Sequence, residues 1–323
     1  MMTKKEFKEA IEQANTIAIS GHVRPDGDCT GSTLALAQYI RDNYKEKTVQ
    51  VYLEPIRDSF LFLSGSNQVR HETSDEQYDL FVCCDCGDVE RLGGFGNLYK
   101  NAKQTMCIDH HISNDGFGQI SHINPKGSST CELLFGLMEA EKVSKETAEA
   151  LYLGIVHDTG VFKHSNTTKE TMIKAGELLE KGVDSSYIID ETFYAKTYLQ
   201  NQLLGRALME STRLLDGKVI YSAISKEVMQ FYGCTPSDLD GIIDQLRVTK
   251  GVEVAIFLYE TEFQQYKVSM RSNHNVNVSS IAKIYGGGGH VKASGCTMAG
   301  TVHDVVNNLM EHIISQLEAE EEQ

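Results

Sequence analysis

Cys107-Ile108-Asp109-His110-His111 sets one carboxylate and two imidazoles in succession behind an apolar run. Carboxylate oxygen and neutral imidazole nitrogen are donors that hold divalent cations, and they are equally the groups of general acid–base chemistry. Consecutive strand residues point to opposite faces, so the three serve one centre only where the chain turns out of a strand. The same residue types recur in three other stretches: His22-x-x-x-Asp26-x-Asp28, Asp85 behind a second apolar run, and Asp158 in His157-Asp158-Thr159-Gly160. A polar loop after an edge strand accounts for one His-His pair. It does not account for several strand ends that deliver the same donors.

The elements that must position these groups follow from periodicity. Phe7, Ala10, Ile11 and Ala14 recur near the helical spacing and predict a helix over 4–15, followed by a strand over 16–20. Glycines and Pro25 mark 21–31 as a loop carrying His22, Asp26 and Asp28, with a helix over 32–40. Strands are expected over 49–53, 79–84 and 105–108, the second running into Asp85 and the third into Asp109. Strands that alternate with helices indicate a doubly wound parallel sheet, whose ligands gather beyond the carboxyl ends of the strands. Helices over 132–139 and 144–156 leave Asp158 at a helix terminus.

Further helices are expected over 168–181 and 184–194, then a long one over 197–215, read either as a connector or as one more core helix. The remainder reads as strands over 218–223, 252–259 and 266–271, a helix over 278–285, the run Gly286-Gly287-Gly288-Gly289-His290, and a closing helix over 301–318. The acidic run Glu320 to Glu322 reads as solvated. The expected fold is therefore α/β: an N-terminal doubly wound, mainly parallel sheet domain (1–195), a helical connector (196–216) and a smaller C-terminal α/β domain (217–323).

A chain of 323 residues is longer than one hydrophobic core comfortably serves, so two domains are expected. The net charge of -15 opposes extended contact with a nucleic-acid duplex, whose phosphates must be neutralised by Lys and Arg. It leaves room for a small phosphorylated substrate met by bound cations and one local basic patch. No stretch approaches the roughly 20 apolar residues of a membrane helix, and the charged start, Met1-Met2-Thr3-Lys4-Lys5-Glu6, is unlike a signal sequence. A cytoplasmic location is expected. Among the eight cysteines, Cys83, Cys84 and Cys86 lack the spacing of a zinc knuckle or a disulfide framework and read as reduced thiols.

Six residues are candidate ligands: His22, Asp26, Asp28, Asp85, His110 and Asp158. That number suits two divalent ions sharing one bridging carboxylate, and mixed Asp and His donors point to Mn2+, with Mg2+, Co2+ or Fe2+ as alternatives. Two such ions about 3.5–4 Å apart activate water and clamp phosphoryl oxygens, which predicts phosphoester hydrolysis. In the second half, glycine amides at Gly287, Gly288 and Gly289 offer close approach to a phosphate. Residues 262–300 carry Lys267, Arg271, Lys283 and Lys292 against Glu262, and the Arg271 fork suits phosphate, with His290 and Ser294 nearby in sequence.

In their order and spacing, these motifs resemble the DHH phosphoesterase family over nearly the whole chain, the two-domain form being similar to its bacterial nanoRNase/pAp phosphatase branch. The glycine run matches the substrate loop of that family's C-terminal DHH-associated domain. The resemblance implies His22 and Asp26 on one ion, Asp28, His110 and Asp158 on the other, and Asp85 bridging both. It implies Asp109 as the group orienting His110, His111 as proton donor or charge stabiliser at the scissile phosphate, and Arg91 as a further substrate contact. His157 stands where a small residue is expected, and three readings stay open: ligand, outer partner or buried imidazole. His164 reads as a surface side chain.

The expected activity is a metal-dependent phosphodiesterase that trims short oligoribonucleotides to mononucleotides and also dephosphorylates 3'-phosphoadenosine 5'-phosphate (pAp). The cleft would lie between the domains, and the protein would be a homodimer. A rival takes cyclic di-AMP or its linear product pApA. Others are a pyrophosphatase or polyphosphatase, and a non-enzymatic nucleotide-binding regulator on the same scaffold.

Overall fold

The structure is a computed structural model that describes residues 2–321, and it divides into two units, Met1–Ala195 and Lys196–Gln323. The first unit runs α1 (Lys4–Gln13), β1 (Thr16–Ser20), α2 (Gly27–Asn43), β2 (Thr48–Tyr52), β3 (Leu80–Cys84), α3 (Gly96–Asn101), β4 (Gln104–Asp109) and β5 (Ile120–Ile123). It closes with α4 (Thr130–Leu137), α5 (Lys145–Asp158), α6 (Lys169–Leu179) and α7 (Ser185–Ile189). Its strands form one sheet of order β2-β1-β3-β4-β5, parallel at every pairing. The order reverses between β1 and β3, the crevice where doubly wound sheets take their ligands.

Alternate residues of each strand feed two cores. Ile17, Ile19, Val51, Leu80, Val82, Met106 and Ile108 pack with α2, α4 and α5, whereas Ala18, Tyr52, Phe81 and Cys83 pack with Leu92, Phe95 and Leu98 on the other face. Helix α2 starts earlier than its apolar pattern predicts, at Gly27, because Asp26 caps it by accepting hydrogen bonds from the Asp28 and Cys29 amides. Asp28 therefore lies in the first turn of a helix and not in a loop. Every residue of α2 from Gly27 to Ala37 is buried, a pattern without a polar face that periodicity alone reads poorly. Strand β5 has no counterpart in the sequence reading. Its residues are only partly buried at the sheet edge.

The second unit runs α8 (Tyr198–Met209), β6 (Thr212–Leu214), β7 (Val219–Ile224), α9 (Lys226–Tyr232), α10 (Ile242–Arg247), β8 (Val254–Glu262) and β9 (Gln265–Ser272). It ends with α11 (Val278–Ile284), β10 (Gly288–His290), β11 (Ala293–Ala299) and α12 (Val302–Glu321). The sheet order is β10-β11-β9-β8-β7-β6, antiparallel except where β7 meets β8. The long helix expected over 197–215 ends at Met209, since residues 212–214 pair instead with β7 across a turn at Leu215-Asp216-Gly217. Leu203 and Ala207 of α8 are buried with Ile220, Leu246 and Phe257, so this helix belongs to the core of the second unit. The side chains of the acidic run Glu320 to Glu322 lie outside the described residues. Among the described residues no helix is long and apolar enough to cross a membrane.

Candidate active site

At the carboxyl ends of β1, β3 and β4 the first unit brings His22, Asp85, Asp109, His110 and His111 together with three helix termini, the starts of α2 and α4 and the end of α5. The loop after β1 is clamped by the Val23 amide, which donates to the Arg91 carbonyl at 2.8 Å. The His22 Nδ1–H donates to the Val23 carbonyl at 2.8 Å, which turns Nε2 inward toward Asp85 Oδ2 (3.4 Å) and Asp26 Oδ2 (3.6 Å). A neutral His22 thus offers its free lone pair to the centre. Burial alone would lower its pKa, but the Asp26 and Asp85 carboxylates carry it up to about 10.

Asp28 is fully buried, and both of its oxygens meet the start of α4: Oδ2 accepts from the Thr130 amide at 2.6 Å and Oδ1 from the Cys131 amide at 2.9 Å. A helix N-terminus is where a carboxylate is best tolerated. Burial first, then the Asp85 and Asp158 charges, still push its pKa well above the usual range. Asp85 follows β3 in a left-handed conformation (φ 53°) that few non-glycine residues adopt, and this turn aims its carboxylate across the sheet edge. Oδ2 faces His22, whereas Oδ1 lies 3.6 Å from both His110 Nε2 and His111 Nδ1 and accepts from the Thr130 hydroxyl at 3.2 Å. One carboxylate therefore looks into two groups of donors.

Asp109, the last residue of β4, is fully buried and does not orient His110 through its ring. Its Oδ1 accepts from the His110 backbone amide (2.8 Å) and from His111 Nδ1 (2.7 Å), and its Oδ2 accepts from Asn114 Nδ2 (2.7 Å). The Asp109 hydrogen bond raises the pKa of His111, whose ring is one-third exposed. His110 Nε2 instead reaches Asp158 Oδ2 at 2.9 Å and lies 3.9 Å from Asp28 Oδ2. Burial opposes protonation of His110, yet Asp158 and Asp28 take its pKa to about 10.

His157 turns away from this centre. It lies edge-on to Phe60 and Phe193, and burial holds its pKa down at about 4. The Thr192 hydroxyl spends its proton on the Ile188 carbonyl, so His157 Nε2–H donates to Thr192 Oγ1 at 2.9 Å. His157 is a partly buried imidazole packed among aromatic rings. The exposed His164 lies 3.4 Å from the Asp158 carbonyl through Nδ1, and Asn166 Nδ2 donates to the same carbonyl at 3.1 Å.

The remaining sequence-predicted residues lie elsewhere. Arg91 sits in a short helical turn, Glu90–Phe95, its amide held by Asp88 Oδ1 and its carbonyl by Val23. In the second unit Arg271 pairs with Asp244 (Nε to Oδ1, 3.3 Å), and the buried Ser294 hydroxyl donates to the Val278 carbonyl at 2.7 Å. The glycine run is no open loop. Gly287 donates to the Ala282 carbonyl at the end of α11, and Gly288, Gly289 and His290 form the exposed edge strand β10 on β11. A Cβ at Gly287 would come 2.2 Å from the Gly295 carbonyl oxygen, so strand packing itself demands glycine there.

Sequence reasoning missed Asn114, whose side chain bridges the Cys86 carbonyl and Asp109, and Thr130, whose amide and hydroxyl meet Asp28 and Asp85. It also missed Cys29, whose sulfur lies with donor atoms of His22 and Asp85, all within 4.8 Å of one another. Only its place directly after Asp28 was a signal. Two further groups meet the same limit, Asp85 with His110 and His111, and Asp28 with His110 and Asp158.

Asp26, Asp28, Asp85 and Asp158 meet imidazoles but no Lys or Arg in any described ion pair. Crowded carboxylates without a fixed cation, joined by imidazole nitrogens, form a donor set that fits divalent metal ions.

A parallel sheet with this donor set at its switch point defines a class of metal-dependent phosphoesterases, and the chain belongs to the DHH phosphoesterase family. Residues 16–155 match the model described as the DHH family N-terminal domain, and residues 216–319 match the DHHA1 domain. Over 300 residues the chain is 31% identical to the bifunctional oligoribonuclease and PAP phosphatase NrnA of Bacillus subtilis, spanning 91% of this chain and 93% of that protein. The protein of the same description from Thermus thermophilus is 30% identical over 91% of this chain and 87% of its own length. The crystal structure of an exopolyphosphatase-related protein from Bacteroides fragilis superposes with a TM-score of 0.85 at 26% identity, covering 97% and 95% of the two chains.

Proposed function

We propose that this chain hydrolyses short oligoribonucleotides to mononucleotides and removes the 3'-phosphate of pAp, using two divalent ions, most readily Mn2+. The observation that carries this reading is Asp85, whose Oδ2 faces His22 while its Oδ1 faces His110 and His111. That divergence suits a carboxylate shared by two ions, with His22 and Asp26 toward one and Asp28, His110 and Asp158 toward the other. When bound, such ions acidify water and neutralise phosphoryl oxygens. The substrate assignment draws on the relatives from Bacillus subtilis and Thermus thermophilus, which match over most of their length.

The chain's own contribution is positional. Asp109 fixes His111 Nδ1, which leaves Nε2 free of that bond to give a proton to the departing 3'-oxygen as water oxygen bonds to phosphorus. In the second unit Gly288, Gly289 and His290 on the edge strand, with Arg271 and the Lys-rich surroundings, are proposed to hold the terminal phosphate, Arg271 exchanging Asp244 for substrate. Gly287 and Ser294 support that strand through their backbone and side-chain bonds, and Arg91 supports the His22 loop. Eight free cysteines favour work in the reducing cytoplasm, and a homodimer is the default assembly to test by light scattering.

The decisive assay supplies Mn2+ and compares a labelled dinucleotide, a pentanucleotide, pAp, pApA, cyclic di-AMP and pyrophosphate. Mononucleotide release from the short RNAs is expected. All the RNAs and pAp left intact would overturn the reading. Preferential cleavage of cyclic di-AMP would move it to the cyclic-dinucleotide rival, and phosphate release from pyrophosphate alone to the reading that the Bacteroides fragilis relative's description suggests.

A further inference from the structure

We infer that the Cys29 thiolate is a ligand of the ion held by His22 and Asp85, which makes the two halves of the metal centre chemically unequal. The inference rests on the two-metal reading and deepens it.

Cys29 is the third residue of α2, and its amide is fixed by Asp26 Oδ1, the cap of the same helix. Its side chain is fully buried, yet it does not point into the apolar core alone. The sulfur shares with a ring nitrogen of His22 and a carboxylate oxygen of Asp85 a space in which all three lie within 4.8 Å of one another. An ion about 2.0–2.3 Å from each of three such atoms needs no larger spread. Asp26 belongs to no such group among the described residues, although its Oδ2 lies 3.6 Å from His22 Nε2.

The room for the sulfur is built in. Gly21 ends the strand approach to His22, and a Cβ there would stand 2.3 Å from Cys29 Sγ. Without an ion the thiol's hydrogen-bond partner is the His22 carbonyl, at 3.8 Å, a long contact that leaves the sulfur lone pairs unused. The opposite group, Asp28, His110 and Asp158, contains no sulfur. Thiolate selects softer ions than carboxylate does. The half with Cys29 should therefore take Zn2+, Co2+ or Cd2+ in preference to Mn2+ or Mg2+, while the other half keeps the hard-ion preference. On binding, the thiol proton passes to solvent and the sulfur lone pair forms the bond to the ion.

The test titrates Co2+ into metal-stripped, full-length protein and into Cys29→Ser, Cys29→Ala and Cys84→Ala variants. Visible d–d bands report any bound cobalt, and the near-ultraviolet sulfur-to-cobalt charge-transfer band reports a thiolate ligand. The wild type and Cys84→Ala are expected to show both. Both Cys29 variants should keep the d–d bands and lose the charge-transfer band, and their preference for Cd2+ over Mn2+ should fall by about tenfold or more, the scale on which ligand-shell changes act. Bound cobalt without a charge-transfer band in the wild type, or a band that survives in Cys29→Ser, overturns the inference and leaves the two-metal reading standing. No d–d bands in any form overturns both. A cadmium NMR shift measured on the wild type separates sulfur from nitrogen and oxygen ligation without any variant, so a misfolded variant cannot shield the inference.

Discussion

Asp85 and His111 carry separable tasks, and substitution should separate them. Asp85→Ala removes the one carboxylate that faces both donor groups, so turnover and bound metal should be lost together, read by activity and by metal content after dialysis. His111→Ala should lose turnover by about 100-fold or more, the usual scale of a proton donor, while metal content stays unchanged. Unaltered turnover in either variant would refute its role. Asn114 supplies a third test at this scale. Its amide is a partner of Asp109 Oδ2, and deleting it leaves a buried carboxylate oxygen short of a donor, a cost of about 1–3 kcal/mol. Asn114→Ala should lower kcat through a loosened His111 while KM changes little. An unchanged kcat would show that Asp109 needs no second anchor.

At the scale of elements, the site depends on how closely α2, α4 and α5 approach. Gly154 of α5 faces Asp28 and Cys131, and a Cβ there would stand 2.6 Å from Asp28 Oδ1 and 2.3 Å from Cys131 Sγ. Gly154→Ala should overpack this junction by about 1–3 kcal/mol and weaken metal binding as Asp28 leaves the α4 amides. Calorimetric metal titration at wild-type affinity would contradict it. Glu132 on α4 ties the same helix to α6. Burial would raise its pKa, but hydrogen bonds from Ser128 and Thr171, with the Lys174 charge, hold it below the usual 4.5. A depressed carboxylate contributes stability that is present above its unfolded pKa and lost as pH falls through its folded one. Glu132→Gln should therefore lower the urea midpoint at neutral pH, and the deficit should shrink as pH falls below about 4.5. A deficit independent of pH would show that the charge is not responsible.

At the scale of the molecule, the crowded carboxylates at one sheet edge repel one another until cations arrive. An ion that binds only the folded protein at about 100 times its Kd should add about 2.7 kcal/mol of stability. Mn2+ is expected to raise the Tm and a chelator to reverse the rise, both effects vanishing in Asp85→Ala. A Tm indifferent to metal would contradict this account. Much of this centre was readable in the linear chain, because alternating apolar runs mark strand ends and the donors His22, Asp85 and Asp109 to His111 directly follow them. Such signals are local: a strand's period, a helix's spacing and the residue types beside them depend on near neighbours in the chain. Which donors converge depends on contacts between distant segments, and those carry no local mark. That Thr130 and Cys131 would cradle Asp28, that Asn114 would brace Asp109, that His157 would turn toward Phe60 and Thr192, and that Gly287 and Gly289 answer to strand packing all follow from folding alone. The same holds for Cys29, one more small buried residue until β1, β3 and α2 are brought side by side.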